Sequence, residues 1–260
     1  MEGFVDVPGG RLELLDLDGN RDVPPLVLLH EGLGSIGLWR RFPRDVHRRT
    51  GARTVAFSRF GHGRSDAPPR PRTPAFMHEE AREVLPALVE ALGIERPVLV
   101  GHSDGASIAL VYAAEHDVSG LVLLAPHVFV EDVCIDEIRS VRDAYESELR
   151  PRMARHHADP DVTFRGWCDV WLDPEFRRWT LEPLLADVTA PMLLIQGRED
   201  PYGTLAQIEA TARGVTGRVE TLVVDGGHSP HLDHPELVLD ALTRFFRRLG
   251  LAAPDHTVAP

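Results

Sequence analysis

Lysine is absent from this sequence of 260 residues, so its 28 basic residues are all arginine. The absence excludes mechanisms that need a lysine amine, such as a Schiff base, a pyridoxal phosphate anchor or a phosphate-loop lysine. Cysteine is nearly absent as well. Cys134 and Cys168 are too few for a disulfide framework or a four-cysteine metal site, and we expect both to be small buried residues.

Long apolar runs and excess positive charge are also missing. No apolar run reaches the roughly 18 residues that a membrane span needs, and the first twenty residues lack the regions of a signal peptide. The formal net charge is −12, which gives no attraction to nucleic acid or anionic membranes. We therefore expect a cytoplasmic monomer or homodimer whose partner is a small-molecule substrate, with no nucleic-acid or membrane partner.

Short apolar runs alternate with helical patterns along most of the chain. The predicted strands are 12–17, 25–30, 53–59, 97–102, 118–125, 191–197 and 219–224, and the predicted helices are 36–48, 76–92, 104–116, 203–213 and 235–249. This alternation predicts an α/β fold with a doubly wound, mostly parallel sheet and helices on both of its faces. Ligands of such sheets bind at the carboxyl ends of the strands.

The alternation breaks between residues 127 and 186, which contain no convincing strand and are predicted to form several helices. Because this stretch follows strand 118–125, we expect it to cover the ligand-binding edge of the sheet as a helical cap. The predicted domains are then a core of residues 1–126 and 187–250, a cap of residues 127–186 and a frayed tail of residues 251–260.

The motif Gly101-His102-Ser103-Asp104-Gly105 lies where strand 97–102 must turn sharply into helix 104–116. Small residues two positions on either side of Ser103 permit such a turn, which exposes the hydroxyl near a helix N-terminus. A structural glycine turn is the simpler alternative. The strand–turn–helix context favours Ser103 as a nucleophile.

A serine nucleophile needs a base, and the base needs an orienting acid. Asp200 follows strand 191–197 and His228 follows strand 219–224, so both lie at the same sheet edge as Ser103. We predict that His228 takes the serine proton and that Asp200 orients the imidazole. The other candidates for the acid are Glu199, Asp225, Glu131 and Asp132.

The stretches GHSDG, GREDP and GGHSPHLDHPE resemble motifs of the α/β-hydrolase superfamily, over roughly residues 10 to 250. The resemblance implies a serine hydrolase without a cofactor or a metal, with a helical cap inserted after the sixth strand. It also implies an oxyanion hole built from the backbone amides of Asp104 and Gly32. The chain departs from the family at Glu31, where a glycine is usual.

The sequence leaves the roles of two acidic side chains open. Glu31 either points outward or faces the pocket as a functional acid, and Arg59 is a candidate partner for it. The Asp104 carboxylate either complements the helix dipole or joins Glu31 in an acidic pocket wall. Such a wall would suit a neutral substrate, or one with hydroxyl or amine donors.

Several side chains are candidates for the substrate pocket, although ordinary packing within the cap is an alternative for the aromatic ones. The candidates are Glu31, Leu33, His127, Trp167, Trp171 and Tyr202. The cluster His228, His231 and His234 invites a metal interpretation, but prolines interrupt it and no fourth ligand is evident. We therefore predict no metal site.

These observations favour a serine hydrolase that cleaves a small carboxylic ester, thioester or lactone through an acyl-enzyme. A C–C bond hydrolase of the meta-cleavage-product type and a cofactor-free perhydrolase are alternative enzymes. A ligand-binding receptor that reuses the fold is the non-enzymatic alternative. Ser103 argues against dehalogenases and epoxide hydrolases of this fold, because they use an aspartate nucleophile.

Overall fold

Eight strands form one sheet in the computed structural model, which describes residues 1–250; the predicted tail of residues 251–260 lies outside this range. The strands are β1 Glu2–Val7, β2 Gly10–Leu17, β3 Leu26–Leu29, β4 Thr54–Phe57, β5 Val98–His102, β6 Gly120–Leu124, β7 Met192–Gly197 and β8 Val219–Val224. Their order across the sheet is β1-β2-β4-β3-β5-β6-β7-β8. The pairs β1/β2 and β2/β4 are antiparallel and the other neighbours are parallel, which confirms the mostly parallel sheet.

The first strand was not predicted, because its residues alternate between exposed and half-buried positions and form no apolar run. Its Phe4 side chain is 44% exposed. Antiparallel edge strands with one solvated face typically show this pattern.

Helices cover both faces of the sheet. The α-helices are α1 Phe42–Thr50, α2 Phe76–Glu79, α3 Leu85–Ala91, α4 Asp104–Glu115, α5 Asp132–Asp143, α6 Arg150–Met153, α7 Pro160–Trp171, α8 Ala206–Gly214, α9 Pro230–Asp233 and α10 Pro235–Arg248. Short 3₁₀ turns span Ile36–Trp39, Phe176–Arg178 and Glu182–Asp187, and π turns span Glu80–Val84 and Tyr145–Leu149.

Two predicted helices are interrupted. The predicted helix 36–48 is wrong as a single element, because Arg40 adopts a φ of 53° and separates the Ile36–Trp39 turn from α1. The predicted helix 76–92 contains a π turn just before Pro86, which has no backbone N–H to donate.

Successive residues of the central strands face two different cores, as expected for strands that are covered on both faces. Leu26 and Leu28 of β3 pack in the core that α1 and α10 cover. Val27 and Leu29 pack in the larger core, to which α3, α4 and α8 contribute. This burial on both faces fixes the register of the sheet and thereby the positions of the loops at its carboxyl edge.

The regular elements between β6 and β7 are helices and helical turns joined by short loops, apart from a single bridge between Phe129 and Thr180. We call residues 127–186 the helical segment. Its residue His157 accepts a hydrogen bond from the Gly63 amide (3.0 Å) and donates one to the Leu33 carbonyl (3.0 Å). The helical segment is therefore bonded to two loops of the sheet domain. No helix within residues 1–250 combines the length and apolar character needed to cross a membrane.

Helix α4 lies directly against the sheet at two glycines. A methyl group on Gly105 would collide with the carbonyl oxygens of Leu29 and His30, and one on Gly101 would collide with the backbone of Ala106. Only glycine permits this approach, so both residues are needed for packing at the turn that carries Ser103.

We predict that Gly105→Ala lowers the free energy of unfolding by about 3 kcal/mol, because rigid backbone must move to admit the methyl group. Urea unfolding followed by tryptophan fluorescence measures this change. Gly3→Ala is the matched control, since no atom lies within 4 Å of its added methyl group, and its effect should stay within about 0.5 kcal/mol. Equal effects of the two substitutions would contradict the packing argument.

Candidate active site

Ser103 occupies the turn between β5 and α4 with φ 53° and ψ −121°. A non-glycine residue with positive φ is strained, and such strain persists only where the surrounding structure enforces it. Here the close approach at Gly101 and Gly105 supplies that constraint. The Ser103 amide donates to the Leu124 carbonyl (2.9 Å), which ties the turn to β6.

The structure brings Ser103, His228 and Asp200 together. His228 Nε2 lies 2.8 Å from Ser103 Oγ, and His228 Nδ1 lies 2.9 and 2.8 Å from the two oxygens of Asp200. An ionised carboxylate only accepts hydrogen bonds, so Nδ1 carries the proton and Nε2 is free to accept from the serine hydroxyl. This is the tautomer that a serine nucleophile needs in its base.

Asp200 is buried and is held by two further donors. Its Oδ2 accepts from Gln196 Nε2 (2.7 Å), and its Oδ1 accepts from the Tyr202 amide (2.8 Å). Burial alone would raise the pKa of Asp200, but the contact with His228 and the Tyr202 amide lower that pKa below its usual value. Asp200 is therefore ionised at neutral pH.

The alternative acids are engaged elsewhere. Glu131 accepts hydrogen bonds from Thr204 and Gln207, and Asp132 pairs with Arg177. Glu199 accepts from the Gly226 amide, and Asp225 pairs with Arg198 at 3.6 Å. Asp200 is the only one of the five candidate acids with a hydrogen bond to His228 within the described residues.

The Gly32 amide is oriented by bonds to the carbonyls beside it. The Glu31 carbonyl accepts from Arg59 Nη2 (2.8 Å) and from His30 Nδ1 (2.7 Å). The Gly32 carbonyl accepts from His62 Nε2 (2.9 Å). In a trans peptide the N–H points opposite to the preceding carbonyl, so the Gly32 N–H points away from Arg59 and His30.

Asp104 is the first residue of α4, and the first amides of a helix have no partner within it. Both Gly32 and Asp104 line the cavity that contains Ser103. The Asp104 amide, one of the two predicted oxyanion donors, is therefore free of helical hydrogen bonding. The Gly32 amide, the other predicted donor, is oriented by the hydrogen-bonded carbonyls beside it.

A cavity of about 170 Å³ opens at Ser103 and His228. All six side chains predicted for the pocket line it: Glu31, Leu33, His127, Trp167, Trp171 and Tyr202. Cys134 and Ile138 also line it and were not predicted. Their spacing of four residues on α5 places them on one helix face, which is the signal that would have identified them.

The Asp104 carboxyl lines this cavity and is fully buried. Its Oδ1 accepts from Trp171 Nε1 (3.2 Å), and Oδ2 has no hydrogen-bond partner. Burial raises the pKa of Asp104, and the nearby guanidinium groups of Arg59 and Arg72 partly offset that effect. The carboxyl is therefore both a helix-start residue and part of the pocket wall, and its charge is balanced in part by two arginines.

Glu31 faces inward rather than outward. Its carboxylate oxygen Oε2 lies 3.4 Å from Nδ1 of the buried His102, and its side chain, which is 26% exposed, lines the cavity. Arg59, the partner predicted from the sequence, bonds the Glu31 carbonyl oxygen instead of the carboxylate. No sequence pattern singles out His102 as the partner of this carboxylate.

The histidines considered for a metal site point in different directions. His231 packs against Trp39 in a tilted contact and against His102 edge to face, and His234 donates to the Asp225 carbonyl at 2.6 Å. Residues 1–250 contain no group of three or more side chains arranged to bind a metal.

Burial lowers the pKa of His127 to about 3, so this pocket residue is neutral.

Comparisons with known proteins agree with this architecture. The human serine hydrolase BPHL is 27% identical over 190 residues, which cover 68% of this chain and 64% of that protein. The enol-lactonase of Burkholderia xenovorans superposes with a TM-score of 0.75 at 18% identity, covering 94% of this chain and all of the other. An esterase of Exiguobacterium antarcticum superposes with a TM-score of 0.70 at 20% identity, covering 95% of this chain and all of the other.

The matched stretch spans less than two thirds of the human relative and about a third of the next two curated relatives. The solved structures support the fold. A model of the alpha/beta hydrolase family matches residues 26–241, which include the Ser103 turn, Asp200 and His228. By this match over most of its length, the chain belongs to the alpha/beta hydrolase family.

Proposed function

We propose that the protein is a serine hydrolase that cleaves a small carboxylic ester, thioester or lactone through an acyl-enzyme. The observation that carries the proposal is the 2.8 Å contact between His228 Nε2 and Ser103 Oγ, with Asp200 on the opposite ring nitrogen. The similarity to a protein described as a serine hydrolase supports the same reaction class.

In the acylation step, Ser103 Oγ attacks the substrate carbonyl carbon while His228 takes the hydroxyl proton. The carbonyl electron pair moves to oxygen, and the amides of Asp104 and Gly32 stabilise the resulting oxyanion, each by about 3–4 kcal/mol. The C–O or C–S bond then breaks, and His228 gives its proton to the leaving group. Asp200 stabilises the imidazolium that exists between these two transfers.

In the deacylation step, His228 removes a proton from water, which attacks the acyl-enzyme carbonyl. Collapse of the second tetrahedral intermediate releases the acid and returns the proton to Ser103 Oγ. The general base contributes about 10²–10⁴-fold to the rate of such steps. No group beyond the chain's own residues is needed for the proton balance.

The dimensions of the cavity support a small substrate. Its volume of about 170 Å³ is below the roughly 300–1,000 Å³ of pockets that hold drug-sized ligands. Its walls are mainly apolar side chains, several of them from the helical segment, which we propose to act as the cap. These apolar walls suit a short acyl chain, which would pack against Ile138, Trp167 and Trp171.

Ser103→Ala should abolish labelling by a fluorophosphonate probe and lower kcat on p-nitrophenyl butyrate by roughly 10⁴-fold or more. Loss of the hydroxyl removes the atom that forms the covalent bond. Gel fluorescence and steady-state kinetics measure the two effects. Ser107→Ala is the control, since this nearby buried hydroxyl donates to the His127 carbonyl. Labelling of the Ser103 variant at the wild-type level would refute the proposed nucleophile.

Asp200→Asn should lower kcat by roughly 10⁴-fold, because the amide no longer selects the Nδ1-protonated tautomer of His228. Steady-state kinetics at pH 7.5 on the same ester measures the loss. Asp225→Asn removes an exposed carboxylate that follows the neighbouring strand and should leave kcat within about twofold of wild type. Comparable losses in both variants would contradict the assignment of the orienting acid.

Ile138→Ala should raise the ratio of kcat/KM for p-nitrophenyl hexanoate over that for the acetate by about tenfold or more, because the shorter side chain makes room in the cavity for a longer acyl chain. The ratio is insensitive to the fraction of folded enzyme. Ile135→Ala on the same helix removes a buried side chain that does not line the cavity, and it should leave the ratio unchanged. A parallel change in both variants would argue against a substrate wall at Ile138.

A further inference from the structure

His102 lies directly before Ser103 and is 1% exposed. Its Nε2 is 2.7 Å from the carbonyl oxygen of His228, and its Nδ1 is 3.4 Å from Glu31 Oε2. A carbonyl oxygen only accepts hydrogen bonds, so Nε2 carries a proton. The imidazole therefore connects the Glu31 carboxylate to the backbone of the residue proposed as the base.

In a neutral His102, an unprotonated Nδ1 would lie 3.4 Å from a carboxylate oxygen, which is a repulsive arrangement. Nδ1 has no hydrogen-bond partner among residues 1–250, and a second proton on the imidazole would turn its contact with Glu31 into an ion pair. Burial by itself lowers the pKa of His102, but Glu31 offsets this and raises that pKa. Burial likewise raises the pKa of Glu31, and His102 more than offsets this.

The loop after β3 is shaped for this contact. A side chain at Gly34 would collide with the Glu31 carboxylate, and the Gly34 amide donates to the Glu31 carbonyl at 3.0 Å. The glutamate that replaces the usual glycine therefore occupies space that Gly34 leaves empty. Glu31, which departs from the family pattern, thus contacts His102, the histidine of the GHSDG motif.

We infer that Glu31 and the buried His102 form a carboxylate–imidazolium pair that positions the His228 backbone and holds a positive charge beside the His228 ring. Glu31 is then a positioning residue that acts through His102. The inference rests on the proposed function, because it assigns His228 the role of base.

The His102 ring lies close to the His228 ring, with 5.2 Å between the two centroids. A positive charge on His102 at this distance opposes a second positive charge on the neighbouring ring, and this opposition ends when His102 becomes neutral.

The other titratable groups around His102 and His228 come from two loops and two helices. They are Asp200, Tyr202, His127, His231 and Asp104. Burial keeps the pKa values of His127 and His231 below the ordinary value, so both are neutral, and burial raises the pKa of Tyr202. None of the three changes charge near neutral pH. Asp200 already bonds His228, and Glu31→Gln alters neither Asp200 nor Asp104.

Glu31→Gln tests the pair with little change in side-chain volume. Without the carboxylate, His102 becomes neutral, so the acid limb of kcat/KM should move upward by about 0.5 to 1 pH unit. We expect kcat at pH 6 to fall severalfold while KM stays within about twofold. Asp16→Asn is the control, because it breaks a partly buried ion pair with Arg53 outside the cavity lining and should leave the acid limb unmoved.

An unmoved acid limb in Glu31→Gln would overturn the inference, and so would a downward shift, which is expected if Glu31 faces a neutral His102. ¹⁵N-histidine NMR of the wild-type chain at pH 7 is the second measurement, and its result does not depend on the folding of Glu31→Gln. It should show a doubly protonated imidazole whose resonance is missing in His102→Gln, and a singly protonated His102 would overturn the pair. Absence of ester hydrolysis and of fluorophosphonate labelling in wild type would instead refute the proposed function.

Discussion

The contact between the backbone of α4 and the carboxyl end of β3 is the constraint on which the site depends. Because Gly105 lies against the Leu29 and His30 carbonyls, the chain has to turn within one residue, and Ser103 takes the strained conformation. That conformation directs the hydroxyl toward His228 and leaves the Asp104 amide at the start of a helix. The packing of two backbones thereby determines the position of a side chain and of a backbone donor together.

Around this turn, buried histidines connect the loops through hydrogen bonds to the main chain. His30 and His62 bond the carbonyls on either side of the Gly32 amide, and burial keeps the pKa of each well below the usual value, so both stay neutral. His102 differs, because a carboxylate faces it and raises its pKa. The pKa of this residue type is thus lowered in two places and raised in a third, according to what lies opposite the ring.

The sequence predicted the sheet class, because strand ends in a parallel sheet converge on one edge. It also singled out the three side chains that the structure brings into contact and six side chains that line the cavity, whose roles stay predictions. It did not predict β1, whose half-buried residues form no apolar run, or the break at Arg40, which is a backbone conformation without a local signal. The partner of Glu31 could not be predicted either. That contact depends on the empty space at Gly34 and on a histidine 71 positions along the chain, which only the folded register brings together.

The two hydrogen bonds of His157 have a consequence for redesign of this protein. This one side chain joins the helical segment to the loop that contains Gly32 and to the loop at Gly63. Exchanging the whole segment for a differently shaped one, as a means of altering substrate range, would also remove an anchor of the adjacent backbone amides. Substitutions confined to the inner face of α5 leave that anchor intact, so this face is a place where the shape of the cavity can be varied without disturbing the loops around Ser103.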